Sequence, residues 1–202
     1  MKTEQATYLD FLGAANTKMA IPVFQRMYTW SPWQCEELWE DIINAGKSGE
    51  THFIGSIIYT SEALDGTNGA NELRSIVDGQ QRTTTVTLLF IALRDWLREH
   101  GETCGLTAQA IEERYLYNAT PDGGRAMKFT AAPADHETLV YILEGGEKPE
   151  RYRFSNRMDR NYRFFAEQMA AEDFELEVML AGLRQLFAII VELGGDDNPQ
   201  LI

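Results

Sequence analysis

The residues best suited to chemistry lie in residues 76–85, where the pattern changes from strand-like to helix-like. Gly79 permits a backbone conformation or a close approach that a Cβ would block. A helix beginning just after it would offer backbone N–H groups without intrahelical partners, next to the cation Arg82. Such a helix start is an anion site. The alternative is a plain hairpin-to-helix turn, with Arg82 in solvent and Thr83 or Thr84 as an ordinary cap.

The same segment contains side chains that could act on a bound water. Asp78 could hold a magnesium-bound water or orient an attacking one, and Gln80 or Gln81 could position it. These residues predict a phosphate-bearing ligand at the start of the helix.

A second candidate segment, residues 25–30, combines one cation with aromatic side chains. Arg26 could reach a phosphate while Tyr28 or Trp30 stacks on a base. In the alternative interpretation Trp30, Trp33 and Trp39 are core residues and Arg26 is a surface ion-pair partner.

A third segment, residues 151–163, has five arginines interleaved with aromatic residues. Arg153, Arg157 and Arg160 would share one face of a helix and could meet nucleic acid or nucleotide phosphates. We favour the alternative, a solvated helix face that pairs with the abundant Glu and Asp. Gly46-Lys47-Ser48 resembles the end of a phosphate-binding P-loop, but Asp41 stands where that motif needs glycine, so we interpret it as a helix C-cap.

Composition narrows the function classes. The net charge of −13 over 202 residues argues against the whole domain binding nucleic acid through phosphates, although a local basic groove remains open. Two cysteines and three scattered histidines predict neither a disulfide framework nor a metal site. No apolar run approaches a membrane span, and we expect a cytoplasmic protein.

The elements that must position these residues follow from hydrophobic periodicity and turn residues. We predict a short helix within residues 4–15, an extended stretch over 21–26, and a helix from Ser31-Pro32 to near Gly46. Strands over 52–60 and 73–77 form an antiparallel hairpin, and a helix follows from Arg82 to about His100, stopped by Gly101. Helical segments near 106–117, 135–144 and 155–171 precede a strand over 186–193, for which a helix is the alternative. Residues 196–202 look like the beginning of another helix, as in a chain cut from a longer protein.

Three motifs together carry a family resemblance. They are Ile21-Pro22-x-Phe24-Gln25-Arg26-x-Tyr28-x-Trp30, Phe53-Ile54-Gly55-Ser56-Ile57 and Val77-Asp78-Gly79-Gln80-Gln81-Arg82-x-Thr84-Thr85. In order and spacing they resemble the N-terminal domain family of the GmrSD restriction endonucleases, which is similar in fold to the ParB/sulfiredoxin group. The likeness covers residues 4–100 well and the remainder loosely. It implies an α+β fold, with a small ParB/sulfiredoxin-like mixed sheet and helices in residues 1–100 and a mostly helical region in 101–202.

The resemblance also implies a function. It implies a nucleotide-dependent regulatory domain of bacterial anti-phage defence that binds a nucleoside triphosphate (NTP) with Mg²⁺, with NTP hydrolysis left open. The implied catalytic residues are Asp78, Gln81 and Arg82, and the implied nucleotide contacts are Gln25, Arg26, Gly79, Gln80, Thr83 and Thr84. An HNH-type nuclease domain in the parent chain and DNA as a partner of the full-length protein are implied as well. The alternatives are a DNA-contacting ParB-like module and an interaction domain without nucleotide chemistry.

Overall fold

A six-stranded mixed sheet with helices around it forms the fold, an α+β architecture as predicted. The computed structural model describes residues 1–194 and residue 197. The strands are β1 (Lys2–Thr7), β2 (Thr17–Ala20), β3 (His52–Ala63), β4 (Glu72–Asp78), β5 (Tyr117–Ala119), β6 (Arg125–Met127), β7 (Phe129–Thr130) and β8 (Leu186–Leu193). The helices are α1 (Tyr8–Leu12), α2 (Pro32–Ser48), α3 (Gln80–His100), α4 (Ala108–Ile111), α5 (Pro133–Glu144), α6 (Asn156–Met169) and α7 (Leu176–Gln185). A π-helical turn (Glu112–Leu116) continues α4, and a 3₁₀ turn (Arg151–Arg153) precedes α6.

The main sheet has the strand order β1-β8-β3-β4-β2-β7, and β5 and β6 form a separate hairpin. Strands β3 and β4 pair antiparallel, as the sequence predicted, and β4 continues into α3. Strand β8 pairs antiparallel with β1 and parallel with β3. The sheet thus contains strands from both of the predicted regions, 1–100 and 101–202. The division near residue 100 and the ParB/sulfiredoxin likeness remain predictions.

Helix α3 is enclosed by the rest of the fold. Consecutive side chains around its whole circumference are almost inaccessible to solvent: Val86, Leu88, Leu89, Phe90, Ile91, Ala92 and Leu93. A helix that is apolar on every side belongs in the interior, so its position is set by packing and not by its own polarity. Even so, no helix in residues 1–194 is both long enough and apolar enough to cross a membrane.

Most predicted elements are confirmed. Helix α2 begins at Pro32 after Ser31, whose backbone and hydroxyl both donate to the side chain of Gln34. Helix α3 ends at His100 before Gly101, and β8 is a strand. The predicted helical segments correspond to α4 with its π-helical continuation, α5 and α6.

Other expectations were wrong or incomplete. Residues 21–26 are not extended, because the chain turns there and the Gln25 N–H donates to the Pro22 carbonyl. Helix α2 does not stop at Gly46 but continues to Ser48, where the left-handed Gly49 (φ 72°) ends it. No prediction was made for β1, β2, β5, β6, β7 or α7. The helix predicted from residue 196 lies outside the described residues, except for Asp197.

Gly46 and Gly182 allow helices α2 and α7 to cross in backbone contact. A Cβ added to Gly182 would lie 1.8 Å from the Ile42 carbonyl oxygen, and one added to Gly46 would lie 2.0 Å from the Val178 carbonyl oxygen. Neither backbone can move aside without separating the two helices. The two glycines are therefore required by packing, although glycine is a poor helix former.

We predict that Gly182→Ala destabilises the protein. In an unconstrained helix this change would stabilise by about 1 kcal/mol, but here the added methyl overlaps backbone, and overpacking typically costs ~1–3 kcal/mol. Urea unfolding should show a net loss of unfolding free energy. The exposed Glu177→Ala on the same helix is the control, with a change within about 0.5 kcal/mol. A Gly182→Ala protein as stable as wild type would contradict this helix crossing.

Lys128, between β6 and β7, is a buried cation. Its side chain is 1% exposed, and its Nζ donates to the Arg114 carbonyl oxygen at 2.8 Å. Burial, together with the positive charges of Arg114 and Arg74, lowers the pKa of Lys128 from 10.5 to about 8. The folded protein therefore releases this proton at a lower pH than the unfolded chain does.

We predict that this lysine gives the unfolding free energy a positive slope against pH. Above about pH 8 the unfolded chain binds more protons at Lys128 than the folded protein, so stability rises with pH, by up to about 1.4 kcal/mol per unit. Lys128→Met removes this contribution, and its slope between about pH 8 and pH 10 should be flatter than that of wild type. The surface change Lys47→Met should keep the wild-type slope. Equal slopes for Lys128→Met and wild type would contradict the assignment.

Candidate functional site

Gly79 forms the turn that joins the end of β4 to the start of α3. Its backbone is left-handed, with φ of 89° and ψ of 5°. A Cβ at this position would lie 3.1 Å from the Ser56 carbonyl oxygen and 3.3 Å from Cγ1 of Ile57, both on β3. Glycine is therefore favoured twice, by the conformation and by the close approach of the neighbouring strand.

The first turn of α3 has backbone donors that the helix does not use. The first backbone hydrogen bond runs from the Thr83 N–H to the Gly79 carbonyl at 2.9 Å. The N–H groups of Gln80, Gln81 and Arg82 precede it, and a glycine N-cap has no side chain to accept from them. Together with the positive end of a 21-residue helix, these donors favour an anion.

Arg82 adds a positive charge at the same place. Its half-buried guanidinium lies over Gly55, where an added Cβ would come within 2.7 Å of Nη2. Nη1 donates to the Ser56 carbonyl oxygen at 3.3 Å. In the part of the chain that the structure describes, Arg82 forms no ion pair with a carboxylate. Its charge is held in the first turn of α3 without a carboxylate counterion among the described residues.

Gln25 ties residues 22–31, which we call the docking loop, to the start of α3. Its Nε2 donates to the Val77 carbonyl at 2.8 Å, and its Oε1 accepts from Nε2 of Gln80 at 3.2 Å. The structure thus brings Gln25 and Gln80 together beside the Gly79 turn, and their contact with a nucleotide stays a prediction. Asp78 and Arg26 are both exposed, one on each of the two joined segments.

Gln81 fixes the docking loop through its side-chain amide group. Its Oε1 accepts from the N–H groups of Thr29 at 2.7 Å and Trp30 at 3.3 Å, and its Nε2 donates to the Met27 carbonyl at 3.2 Å. The side chain is 6% exposed. The amide group is therefore engaged with the loop backbone, which is a positioning contact. The catalytic role expected for Gln81 stays a prediction.

Thr83 and Thr84 are buried and face the helix itself. The Thr83 hydroxyl donates to the Gly79 carbonyl at 3.0 Å, and the Thr84 hydroxyl donates to the Gln80 carbonyl at 2.8 Å. Tyr8 of α1, whose pKa burial raises to about 12, lies 3.0 Å from the Thr83 oxygen. The structure does not bring these two hydroxyls to the surface beside Arg82, and their nucleotide contacts stay predictions.

The Tyr28 side chain is buried in the core, so the interpretation that it stacks on a base was wrong. Its N–H donates to Oδ2 of Asp135 at 2.6 Å. Its hydroxyl lies 2.6 Å from Oγ1 of Thr85 and accepts from Nδ2 of Asn161 at 2.7 Å. Burial raises the pKa of Tyr28 above its usual range and also raises the pKa of Asp135. Sequence reasoning missed Asp135 and Asn161, which lie 107 and 133 residues away along the chain and belong to no local motif.

Of the three tryptophans considered as core residues, two pack in or against the core and one is exposed. Trp39 is buried and Trp30 packs half-buried against the core, whereas Trp33 is 60% exposed. Val23, Phe24 and Met27 of the docking loop are exposed as well. The loop therefore has a fixed inner side and an apolar outer side next to Arg26.

The predicted arginine face is not formed as one surface. Arg153 belongs to the 3₁₀ turn and not to α6, and its Nη1 pairs with Glu137 at 2.9 Å. Arg157 donates from Nη1 to the Thr29 carbonyl at 2.7 Å, and Arg160 is exposed on α6. Of the three arginines predicted to share a helix face, only Arg157 and Arg160 belong to α6. Arg157 lies against the docking loop.

The fold and the site together define an α+β domain with an anion-ready helix start behind a left-handed glycine. The family model described as "GmrSD restriction endonuclease, N-terminal domain" matches residues 8–200. The chain belongs to this family, which places it among restriction and defence proteins. The match extends through the region that the three sequence motifs covered only loosely. A search of curated proteins found no match.

We predict that Gln81→Ala loosens the docking loop and destabilises the fold. The change leaves the N–H of Thr29 without its partner, and an unsatisfied buried donor costs ~1–3 kcal/mol. Urea unfolding should show a loss of this size. Gln109→Ala is the matched control, since Gln109 is an exposed helical glutamine bonded only to Glu113 in the described chain, and its effect should stay within about 0.5 kcal/mol. Equal stability of the two variants would show that Gln81 does not hold the loop.

Proposed function

We propose that this chain is the NTP-binding regulatory domain of a modification-dependent restriction protein. One observation carries the proposal. Arg82, whose guanidinium has no carboxylate partner in the described chain, belongs to the first turn of α3, and no side chain caps the N–H groups of that turn. Family membership supports the proposal because it places the chain among restriction proteins, whose activity a regulatory domain would control.

A triphosphate suits the chemistry of this place. Its oxygens would accept hydrogen bonds from the first-turn N–H groups, and Arg82 could bind two of them in parallel. The exposed Arg26 on the docking loop offers a second cation. Because the chain as a whole carries a charge of −13, recognition must come from these local donors and not from a long-range field.

Magnesium fits the site as a companion of the phosphates. Among the described residues no group of three or more His, Cys, Asp or Glu could hold a metal by itself. Mg²⁺ usually keeps several waters and takes one or two carboxylates plus substrate phosphates, and the exposed Asp78 supplies one carboxylate. A bound Mg²⁺ would neutralise charge on the phosphates, and Asp78 could also orient an attacking water if the NTP is hydrolysed.

We predict that NTP binding depends on Arg82. Calorimetric titration with each of the four common NTPs, with Mg²⁺ present, should give binding to wild type and a loss of about tenfold or more for Arg82→Gln, since a charge-assisted hydrogen bond contributes ~1.5–3 kcal/mol. Arg151→Gln removes an exposed arginine away from the site and should bind as wild type. Equal binding by Arg82→Gln, or no binding by wild type, would contradict the proposal.

Phosphate release in the same samples tests hydrolysis. Asp78→Asn keeps a side-chain oxygen that can still contact Mg²⁺, so if Asp78 orients the attacking water this variant should retain NTP binding and lose phosphate release. Release that continues unchanged in Asp78→Asn would remove the catalytic role of this carboxylate.

For the complete protein we propose an HNH-type nuclease domain as the partner of this domain and DNA as the target. The alternative function, a DNA-contacting module, now depends on Arg157 and Arg160, because Arg153 is paired with Glu137. Phosphate contacts would make DNA binding fall steeply with salt. A flat salt response would remove this alternative.

A further inference from the structure

A second concave site lies away from the start of α3, between α1, α4 and α7. It is a cavity of about 420 Å³, within the usual size range of small-ligand pockets. Polar and apolar groups share its lining about equally, and the apolar part comes from buried and half-buried side chains: Leu9, Phe90, Leu106, Ile111, Leu180 and Leu183. None of the side chains proposed above to contact the nucleotide lines this cavity.

Phe90 and Tyr115 line one wall of the cavity. The rings of Phe90 and Tyr115 are stacked, with centroids 4.2 Å apart and an interplanar angle of 4°. Phe90 is buried in α3, and Tyr115 belongs to the π-helical turn that continues α4. The Arg114 guanidinium lies over the Tyr115 ring, 5.4 Å from its centroid, so a ligand ring would meet this wall at the half-buried Tyr115, beside that guanidinium.

The rim of the cavity is charged. Arg114 and Arg184 line it together with a single carboxylate, Asp10. Arg114 faces Asp10 at 3.8 Å and packs over Gly13, where an added Cβ would lie 3.0 Å from its Nε. Arg184 is exposed and forms no ion pair with a carboxylate within residues 1–194 and 197. The Glu177 carboxylate also lies beside the lining residue Cys104, so Arg184 is the rim guanidinium that has no carboxylate partner among the described residues.

We propose that this cavity binds a small amphiphilic anion, an apolar ring or short chain carrying one carboxylate, sulfonate or phosphate group. The apolar part would fill the floor, and the anionic group would meet Arg184 and Arg114 at the rim. The charge of the rim matches a single anionic group and not a triphosphate, so the ligand class differs from that of the α3 site. The inference does not depend on the proposed function.

Fluorescence titration with 8-anilinonaphthalene-1-sulfonate tests this directly, because the probe joins aromatic rings to one sulfonate. Wild type should bind one equivalent, and the neutral N-phenyl-1-naphthylamine should bind at least about tenfold more weakly, as expected from the loss of a charge-assisted contact. Arg184→Gln should weaken sulfonate binding by a similar factor, while Arg151→Gln should not. Ala110→Trp places a large side chain at the exposed edge of the cavity and should abolish binding.

The labelling rate of Cys104 reports independently on where the probe binds. It is exposed and lines the cavity, whereas Cys35 is buried, so a maleimide should label Cys104 alone in the folded protein. Saturating sulfonate probe should slow this labelling in wild type and not in Ala110→Trp. Thermal unfolding of each variant shows whether it is folded.

Two results would overturn the proposal. Equal binding of the neutral and sulfonated probes, unaffected by Arg184→Gln, would show an apolar cavity without anion selectivity. Binding that neither Ala110→Trp nor Cys104 labelling responds to would place the probe elsewhere on the protein.

Discussion

The left-handed turn at Gly79 is the constraint on which the rest of the candidate site depends. It redirects the chain from β4 into α3 within one residue, and it does so against β3, where a Cβ would make tight contacts with Ser56 and Ile57. Gly55 on β3 provides matching space for the Arg82 guanidinium. Because α3 is enclosed on all sides, its first turn cannot tilt away to accommodate larger residues. The core therefore fixes both the helix start and the arginine beside it.

Several side chains hold the docking loop against this helix start, and three of them are central. Gln25 binds the end of β4, Gln81 binds the loop backbone, and Tyr28 enters the core between α3 and α6. Asp135 of α5 accepts from the Tyr28 backbone and extends the connection to a third helix. Buried polar contacts of this kind are costly to break singly, so they specify one position of the loop. The sequence motif Asp78–Arg82 thus contains two kinds of residue: some that face the open side, and some that build the site.

The sequence predicted the elements with local signals and missed those that depend on distant partners. Ser31-Pro32 predicts the start of α2, and the apolar periodicity after Arg82 predicts α3, because capping residues and periodicity are local signals. Strand β1 begins Lys2-Thr3-Glu4-Gln5, a polar edge strand that forms only because β8, nearly the whole chain away, supplies its hydrogen bonds. The short strands β5, β6 and β7 have two or three residues each, too few for an alternating pattern. The position of β8 beside β3 could not be predicted, since nothing local to residues 186–193 specifies a parallel neighbour.

The same division applies to the candidate site. Glycine and arginine next to a helix start could be recognised from sequence, because the backbone geometry alone makes the donors available. The sequence could not show that the Gln81 amide is occupied by the docking loop, or that Tyr28 is buried on Asp135 and Asn161. Residue type permits several roles, and only tertiary contacts select among them.

The central claim is that the first turn of α3 binds the phosphates of an NTP. Two-dimensional NMR of the backbone amides, with and without NTP and Mg²⁺, tests it most directly. The account predicts large, saturable shifts at the amides of Gln80, Gln81 and Arg82, and none at the first turn of α6, which also begins near arginines. Shifts confined to α6, or no shifts at Gln80–Arg82 at saturating NTP, would contradict it.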